Sequence, residues 1–487
     1  MISEKAGKNS GPVQVSVIIL TYNEEKNIGH CLDAVFAQKF PEHFEVIVAD
    51  SGSTDRTREI VKAYPVRLLE VSRDQFGHGR TRQMASGQAR GRFLVYLVAD
   101  AIPADEHWLS SLVEPLTEDK EFAGSYSRQI PRPNAHPVEA ARLKERTAGR
   151  GEKIVRQLTD KNFPRSLKPL ERLAFCDFDD VSACRRGSVL ENIPIPDVPW
   201  AEDLYWSKQV LEAGYKIAFE PRSTVIHSHS RGLIHGFRRG WLDQHVAAEL
   251  FGHIYFADIL DLFKKYFSLL ASRWKIIAQA STGPVRKIAY LFTQPGELLF
   301  EVLGNYLASR KPRREAVVHD FLKRLGRARL DPADARDRVM RTWFVLSAEQ
   351  RPVLFANPDS AVIYRARIPE KAFLLFGAGI NPDAWPMRRD PVRFAVEISG
   401  KRVWERDVWP ESPENFSWQE VELDLAERAG EMVELSFITE AENTDHAWAG
   451  WAGPRIAIKK LRLRDRLYNR LLEQLNRVIS GRPLRHP

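Results

Sequence analysis

Five places along this 487-residue chain put acidic, imidazole or guanidinium side chains where an ordered-looking run stops or starts. Phe44-Glu-Val-Ile-Val-Ala49 ends on Asp50, Phe93-Leu-Val-Tyr-Leu-Val-Ala99 on Asp100, and Ser223-Thr-Val-Ile226 on His227-Ser-His229. Glu202 and Asp203 head an amphipathic stretch running to Ala213-Gly-Tyr215, and His78, Arg80 and Arg82 share a glycine-flanked turn. A carboxylate at the C-terminal end of a strand can face a nucleotide, or ligate a divalent cation that also binds a diphosphate. Histidines at i and i+2 share one face of a strand, a usable ligand geometry, although a lone pair of this kind is more often structural. Arginines in a turn that opens a helix suit a diphosphate, and a solvated basic turn has the same composition. An acid pair at a helix start complements the helix dipole without further purpose, yet a carboxylate there can also accept a proton from an attacking hydroxyl.

The elements that must position these groups are legible around them. Val15-Ser-Val-Ile-Ile-Leu20 is a β-branched apolar run, the pattern of a strand buried on both faces of a parallel sheet. Ile28, Leu32, Val35 and Phe36 recur at helical spacing, and the Phe44 run supplies a second strand. Strand, helix, strand with Asp50 at the end is a βαβ nucleotide-binding unit of an α/β fold. In an open parallel sheet, ligands sit outside the carboxyl ends of the strands, where Thr21, Asn23, Glu24 and Asp50 emerge with Ser51 beside them. Asp55 and Thr57 precede Arg58-Glu-Ile-Val-Lys-Ala63 and read as helix-start residues. Val66 to Val71 and Phe93 to Ala99 continue the sheet, and Lys216 to Ile226 closes it. No Gly-x-Gly-x-x-Gly turn follows the first strand, which argues against a dinucleotide-binding dehydrogenase.

Val15-Ser-Val-Ile-Ile-Leu-Thr-Tyr-Asn-Glu-Glu25 followed by Val48-Ala-Asp-Ser-Gly-Ser-Thr-Asp55 resembles family 2 glycosyltransferases of the GT-A fold, a Rossmann-like, mostly parallel sheet, over residues 13–245. The resemblance implies that Thr21, Asn23, Glu24, Asp50 and Ser51 hold the base and ribose of a nucleotide sugar. Phe76-Gly-His-Gly-Arg-Thr-Arg82 is similar to the rhamnosyltransferase-like branch, which implies Arg82 at the phosphates and His78 lining the donor pocket. The family's usual two aspartates, one residue apart, shrink here to Val98-Ala-Asp100, so the metal's necessity stays open. Asp100-Ala-Ile-Pro103 is nonetheless familiar in that branch. By the same resemblance Asp203 is the catalytic base with Glu202 as helper or alternate, and Asp100 and His227 hold Mg²⁺ or Mn²⁺. Asp180, Ser182 and His229 fall on the acceptor side, although turn chemistry explains Asp180 and Ser182 equally well.

Beyond residue 245 the character changes twice. Residues 246–342 read as helices, with Phe251, Tyr255, Ile259, Leu262, Phe263, Tyr266 and Phe267 forming a stripe that serves either as core or as an interfacial surface. Residues 343–460 carry short alternating runs separated by turn residues, the pattern of an antiparallel β-sandwich of jelly-roll type, a candidate carbohydrate-binding module. Trp385, Trp404, Trp409, Trp418, Trp448 and Trp451 either stack on sugars or fill its core. Residues 461–487 read as a basic amphipathic helix with Leu463, Leu467, Leu471, Leu475 and Val478 on one face.

The net charge of +8 is concentrated at 311–314, 323–329 and the C-terminal tail. Such patches favour anionic partners, and with no nucleic-acid-binding motif beside them an anionic membrane face is preferred. Three cysteines without metal-type spacing suit a reducing interior, the opening residues lack the apolar core of a signal peptide, and no apolar run is long enough to cross a bilayer. The expectation is a cytoplasmic protein at the inner face of the membrane. It would be an inverting, metal-assisted glycosyltransferase moving a sugar, with a lean to rhamnose, from a nucleotide diphosphate donor to a glycan or lipid-linked glycan in cell-surface polysaccharide synthesis. The absent first aspartate motivates a rival, a glycan-binding protein on an inactive transferase domain. A nucleic-acid binder is the third reading, and it predicts strongly salt-dependent affinity.

Overall fold

The computed structural model describes residues 12–73, 75–145, 151–159, 167–229, 232–256, 258–310, 315–346, 349–410, 417–459 and 463–480. Arg231, the basic run 311–314 and the tail 481–487 lie outside them. The chain divides into two units, one of residues 1–163, 173–239 and 263–302, the other of residues 164–172, 240–262 and 303–487.

The first unit opens β1 (Val15–Thr21), α1 (Ile28–Phe36), β2 (Phe44–Asp50), α2 (Thr57–Val61), β3 (Arg67–Glu70), α3 (His78–Ser86) and β4 (Phe93–Val98). It continues β5 (Ile102–Pro103), α4 (Trp108–Glu118), β6 (Phe122–Ile130), α5 (Pro137–Glu145) and β7 (Ile154–Arg156). After α6 (Pro169–Phe175), which begins in the other unit, come β8 (Ser182–Arg186), α7 (Gly187–Leu190), α8 (Glu202–Glu212) and β9 (Lys216–Ile226). The strands form one sheet in the order β3-β2-β1-β4-β8-β6-β9-β5, with β7 paired to β9. The pairs β1–β2, β2–β3, β1–β4 and β6–β9 are parallel, whereas β8, β5 and β7 run against their neighbours. This is the mostly parallel GT-A arrangement that the resemblance implies. β1 is buried along its whole length. That is what an unbroken apolar run does when helices cover both faces of a sheet. Val17, Ile19, Val46, Val48, Val95 and Leu97 join Ile28, Leu32, Val35, Trp108, Leu112 and Leu116 of α1 and α4 in one core.

Three long helices follow, α9 (Leu233–Phe251), α10 (Ile259–Gln279) and α11 (Pro284–Ala308). Pro295 inside α11 cannot donate a backbone N–H, so the carbonyl of Leu291 loses its helical partner. The indole of Trp274 on α10 donates to that carbonyl at 3.1 Å, Tyr266 Oη donates to the Pro295 carbonyl at 3.0 Å, and Arg273 pairs with Glu301 at 2.9 Å. The expected stripe divides: Phe251 and Leu262 are buried, whereas Ile259, Phe263 and Phe267 are exposed. Among the described residues no helix is long and apolar enough to cross a membrane.

Helix gives way to strand from Ala316, earlier than the periodicity suggests, because the first strands are too short to show a period of two. The second unit holds β10 (Ala316–Asp320), β11 (Arg329–Asp331), β12 (Val339–Leu346), β13 (Glu349–Ala356), β14 (Ser360–Arg367) and β15 (Ala372–Ile380). It continues with β16 (Val392–Ile398), β17 (Lys401–Val408), β18 (Gln419–Asp424), β19 (Met432–Glu440) and β20 (Ala449–Ile458). They form two antiparallel sheets, β12-β13-β20-β15-β18 with β10 on β20, and β11-β14-β19-β16-β17. One core lies between them, with Trp451 fully buried against Phe376, Phe394, Trp404 and Phe437. Trp385, Trp404 and Trp448 pack on that core, Trp418 belongs to a satellite cluster, and Trp409 is half exposed. The C-terminal α12 (Leu463–Ser480) buries Leu472, Asn476 and Ile479 and exposes Leu467, Leu471 and Val478. The buried face is therefore rotated from the leucine stripe expected of it.

Candidate active site

Strand directions bring the expected residues to one edge of the nine-stranded sheet. Thr21 and Asp50 end β1 and β2 as direct partners. Asp100 follows β4, Gln129 is the last residue but one of β6 and His227 follows β9, all at the carboxyl ends of strands sharing one direction. β8 runs the other way, so Asp179 and Asp180, just before its start, arrive at the same edge. Although β8 and β6 lie between β4 and β9, Ile102 and Pro103 already pair with Ile226 and Val225. Residues 99–101 thus cross the strand ends, which carries Asp100 to His227.

At the β1–β2 end, Asp50 is 1% exposed and turned into its own loop. Its carboxylate accepts from the backbone N–H groups of Gly52 (3.2 Å) and Ser53 (3.1 Å) and from the Ser53 hydroxyl. Gly52 takes φ +82°, a left-handed conformation that glycine enters freely. Asn23 is also left-handed, at φ +54°, and its side-chain oxygen accepts from Thr54 N at 2.8 Å. The hydroxyls of Thr21 and Ser51 are buried without a hydrogen-bond partner. Unpaired polar atoms of this kind are expected where a ligand supplies the missing partner. Asp55 accepts from Thr57 N and its hydroxyl at the head of α2, the structural part expected of both. Burial lifts the Glu24 carboxyl above its ordinary range against a bond from Asn27, and the charge of Asp100 adds to the lift.

Asp100, His227 and His229 each offer one ligand atom, and these atoms lie within 4.8 Å of one another. Asp100 Oδ2 is 3.6 Å from His227 Nε2 and 3.7 Å from His229 Nδ1. The His227 ring is buried and its Nδ1 lies 3.0 Å from Gln129 Oε1, which can only accept, so Nδ1 carries the proton. In the neutral ring Nε2 then keeps its lone pair; it is buried and has no hydrogen-bond partner. Gln129 is fixed in turn by donating to Asp179 at 2.7 Å. Burial pushes the Asp100 carboxyl up, but its contact with His227 and the nearby charges of His227, His229 and Arg132 hold it below the ordinary carboxylate range. Arg132 donates to the Asp100 carbonyl at 2.6 Å and remains one-third exposed beside the cluster.

The acid pair sits in a second network. Glu202 is buried and pairs with Arg82, which also lies 3.4 Å from Asp180. Arg185, fully buried, is 2.8 Å from the other oxygen of Asp180, and its guanidinium lies over the rings of Trp206 (4.3 Å), Tyr96 (5.0 Å) and Phe178 (5.2 Å). Gly79 permits this assembly: a Cβ there would lie 2.1 Å from the Pro196 carbonyl and 3.3 Å from Glu202 Cβ, so only glycine lets α3 approach α8 closely. Asp203 is half-buried, and its carboxylate accepts from Leu204 N at 2.8 Å and Asp180 N at 3.3 Å. Among the described residues, no cation lies within ion-pair distance of it. Burial, then the charges of Asp180, Glu202 and Asp179, raise its carboxyl well above the usual carboxylate range. Ala201, immediately before, is left-handed at φ +58°, a strained conformation for a residue with a Cβ.

Several expected residues stand differently. Arg82 faces inward on two carboxylates, and Asp180 is an interior ion-pair partner only 3% exposed. Ser182 hydrogen-bonds Trp108 Nε1 and Ser127 inside the sheet. His78 is exposed at the head of α3, edge-on to Phe76, and Arg80 pairs with Asp197. Gln129, Arg132, Asp179 and Arg185 join the site without having been singled out. Of these, Asp179 and Arg185 lie beside Asp180 and Ser182, which the resemblance puts on the acceptor side.

Residues 16–175 match the model of the family described as glycosyl transferase family 2. The chain is 29% identical over 218 residues to the O-antigen chain rhamnosyltransferase WbaN of Salmonella anatum, covering 44% of this chain and 66% of that one. It is 28% identical over 227 residues to the O-antigen chain rhamnosyltransferase RfbN of Salmonella typhimurium, covering 45% and 67%. The matched part thus spans about two thirds of each relative's length. A solved mannosyltransferase, PcManGT from Pyrobaculum calidifontis in complex with GDP-Man and Mn²⁺, aligns over 62% of this chain and 90% of its own at 20% identity and a TM-score of 0.40. The motifs, the sheet they build and the family match agree: residues 16–175 carry the glycosyl transferase family 2 pattern, and this part of the chain is similar to O-antigen rhamnosyltransferases.

Proposed function

We propose that this chain is an inverting glycosyltransferase that moves a sugar, rhamnose by preference, from a nucleotide diphosphate to a hydroxyl of a surface glycan under assembly. The observation that carries the reading is one continuous line of contacts. It runs from Asp203 through the backbone of Asp180 to neighbouring Asp179, then through Gln129 and His227 to Asp100. That line supports reading Asp203 as the proton acceptor and the Asp100 cluster as cation ligands along one sheet edge. The lean to rhamnose rests on WbaN and RfbN.

Asp203 takes the proton of the acceptor hydroxyl as that oxygen bonds to the anomeric carbon. The bond from this carbon to the diphosphate breaks on the opposite face, its electron pair leaves with the diphosphate, and the configuration inverts. The raised carboxyl pKa suits a base that must bind a proton firmly during attack. Asp100, His227 and His229 would hold a divalent cation, and the unpartnered His227 Nε2 and the mixed nitrogen and oxygen donors fit one. Two imidazoles favour Mn²⁺ over Mg²⁺, whose partners are oxygens. When bound, the cation would neutralise charge developing on the departing diphosphate. Arg132, partly exposed beside Asp100, is better placed than the inward-facing Arg82 to share that task. The nucleoside lies against Thr21, Asn23, Glu24 and Ser51, with Asp50 holding their loop in shape.

The acceptor end of the reading is a lipid-linked glycan at an anionic membrane face. Phe263, Phe267 and Trp274 lie at i, i+4 and i+11 on α10, and Val285, Ile288, Phe292 and Leu299 at i, i+3, i+7 and i+14 on α11, so each set forms one stripe. All seven are exposed, Phe267 by 62% and Phe292 by 81%, with Lys264, Lys265, Lys275, Arg286 and Lys287 nearby in sequence. Apolar stripes flanked by cations suit a monolayer surface.

The test is a donor panel offered to the purified chain with Mn²⁺ and with EDTA. The reading expects thermal stabilisation and sugar release or transfer with dTDP-rhamnose above the other nucleotide sugars, and loss of turnover in EDTA. Failure to bind or turn over any nucleotide sugar would remove the enzymatic reading.

A further inference from the structure

The outer face of the five-stranded sheet in the second unit is unevenly charged. Directly paired residues of antiparallel strands share a face, so Arg393–Asp407, Glu397–Arg402, Arg393–Glu440, Arg365–Glu434 and Arg329–Ile363 all point away from the core. Across β16, β17 and β19 the charges on this face neutralise one another. Arg393 pairs with Asp407 at 2.7 Å, and Arg402 reaches Glu397 (3.3 Å), Glu405 (3.1 Å) and Glu440 (2.8 Å). At the opposite edge the balance fails. Arg324 and Arg327, from the turn leading into β11, join Arg329 and Arg365 around a cavity of about 420 Å³ whose wall includes Ile363 and Tyr364. Glu434 is the one acid lining it, and it is engaged by Arg329 at 2.9 Å. Among the described residues no carboxylate lies within ion-pair distance of Arg324, Arg327 or Arg365.

Four guanidiniums and one carboxylate leave a formal surplus of three positive charges around a concavity. Like charges gathered in this way repel, and the arrangement is relieved when an anion enters. Guanidinium is planar and presents paired N–H donors that match the oxygens of phosphate or carboxylate two at a time. We propose that this cavity binds an anionic group, a phosphate or a carboxylate, carried on a glycan, at a site separate from the sugar-transfer site. The cavity is too small for a nucleic-acid duplex, and the face leading from it is charge-neutral and polar. A polyanion would need a continuous basic track, and a membrane an apolar border, so a glycan bearing isolated acidic groups fits best.

The test uses the full chain and four probes at low salt: a maltohexaose ending in one uronate, a maltohexaose bearing one phosphate ester, unmodified maltohexaose, and a single-stranded RNA 12-mer. Binding is read by calorimetry for the parent and for the Arg324→Ala/Arg365→Ala double variant, with thermal midpoints recorded for both. The two substitutions lie away from the core, so the midpoints should agree within about 2 °C. The expected result is that one or both acidic oligosaccharides bind the parent and lose at least tenfold in affinity in the double variant, while unmodified maltohexaose binds neither. The stronger of the two acidic arms assigns the ligand to phosphate or to carboxylate. Donor turnover is expected to be equal in the two proteins, which separates this site from the transferase reading. Equal affinity of parent and variant, no binding of either acidic probe, or tighter binding of the RNA would overturn the proposal.

Discussion

Replacing Asp203 by asparagine should abolish most of the activity while making the protein more stable at alkaline pH. Asparagine keeps the shape and can keep the 2.8 Å bond from Leu204 N through its oxygen. Its amide nitrogen then meets the N–H of Asp180, where the carboxylate now accepts at 3.3 Å, so one long hydrogen bond is lost, at a cost of about 1 kcal/mol. Against this, an anion disappears from beside Asp180, Glu202 and Asp179. The pH dependence follows from the raised pKa. In the folded chain Asp203 holds its proton more firmly than in the unfolded chain, whose carboxyl titrates near ~3.9. Below that pH both states are protonated and the stabilising effect is fully present. As pH rises through the folded pKa, above the ordinary carboxylate range, that stability is lost. The variant's thermal midpoint minus the parent's should therefore be near zero or negative at pH 4 and climb with pH toward 8. For the rate, removing a general base is expected to lower kcat by roughly 10²- to 10⁴-fold, or about 3–5 kcal/mol of barrier. In the parent, kcat/KM should rise with pH through the pKa of Asp203, an acid limb that the variant lacks. Transfer of labelled sugar and differential scanning fluorimetry across pH 4–8 measure both. Transfer within threefold of the parent, or a midpoint difference independent of pH, would refute the reasoning.

Gln129→Leu removes the amide that fixes the His227 ring, and the concentration of Mn²⁺ giving half-maximal calorimetric binding should rise by about 10- to 100-fold with little change in fold; an unchanged Mn²⁺ affinity would deny that positioning. Arg185→Leu leaves Asp180 buried with only the more distant Arg82, and urea denaturation should show a loss of about 3 kcal/mol or more. A loss under about 1 kcal/mol would mean that the aromatic cage, rather than the charge, sets the stability there. Phe267→Glu with Phe292→Glu should abolish sedimentation with vesicles containing anionic lipid while leaving hydrolysis of a soluble donor unchanged; equal sedimentation of parent and variant would move the membrane contact elsewhere.

The first unit was legible because its strands announce themselves locally. A parallel strand covered on both faces is apolar at nearly every position, so the Val15, Phe44 and Phe93 runs are legible without their partners. The chemistry at their ends was legible for the same reason, since the residue after a buried run has to emerge at the sheet's edge. Residues acting through distant partners were not. Gln129 lies inside a strand and looks like any half-polar position, and only the parallel register of β6 and β9 sets it against His227. Beyond residue 245 the signals weaken for a different reason. β10 and β11 are three to five residues long, too short to show a period, so nothing in the pattern marks where the helices end.

Asp180 shows where reading by position stops. Standing just before a strand, in a loop that family resemblance puts near the acceptor, it had the right residue type for a sugar contact. In the fold, Arg185 follows five residues later along β8 and Arg82 arrives from α3, and both guanidiniums close on its carboxylate. The two cations hold the buried carboxylate in place, and the Asp180 backbone N–H is thereby set where the Asp203 carboxylate accepts. Its part in the proposed reaction is electrostatic and runs through Asp203, the acid with no cation in ion-pair distance among the described residues. Sequence names the acids; only the pairing of arginines with some of them, and not with Asp203, separates the supporting carboxylates from the one left available to accept a proton.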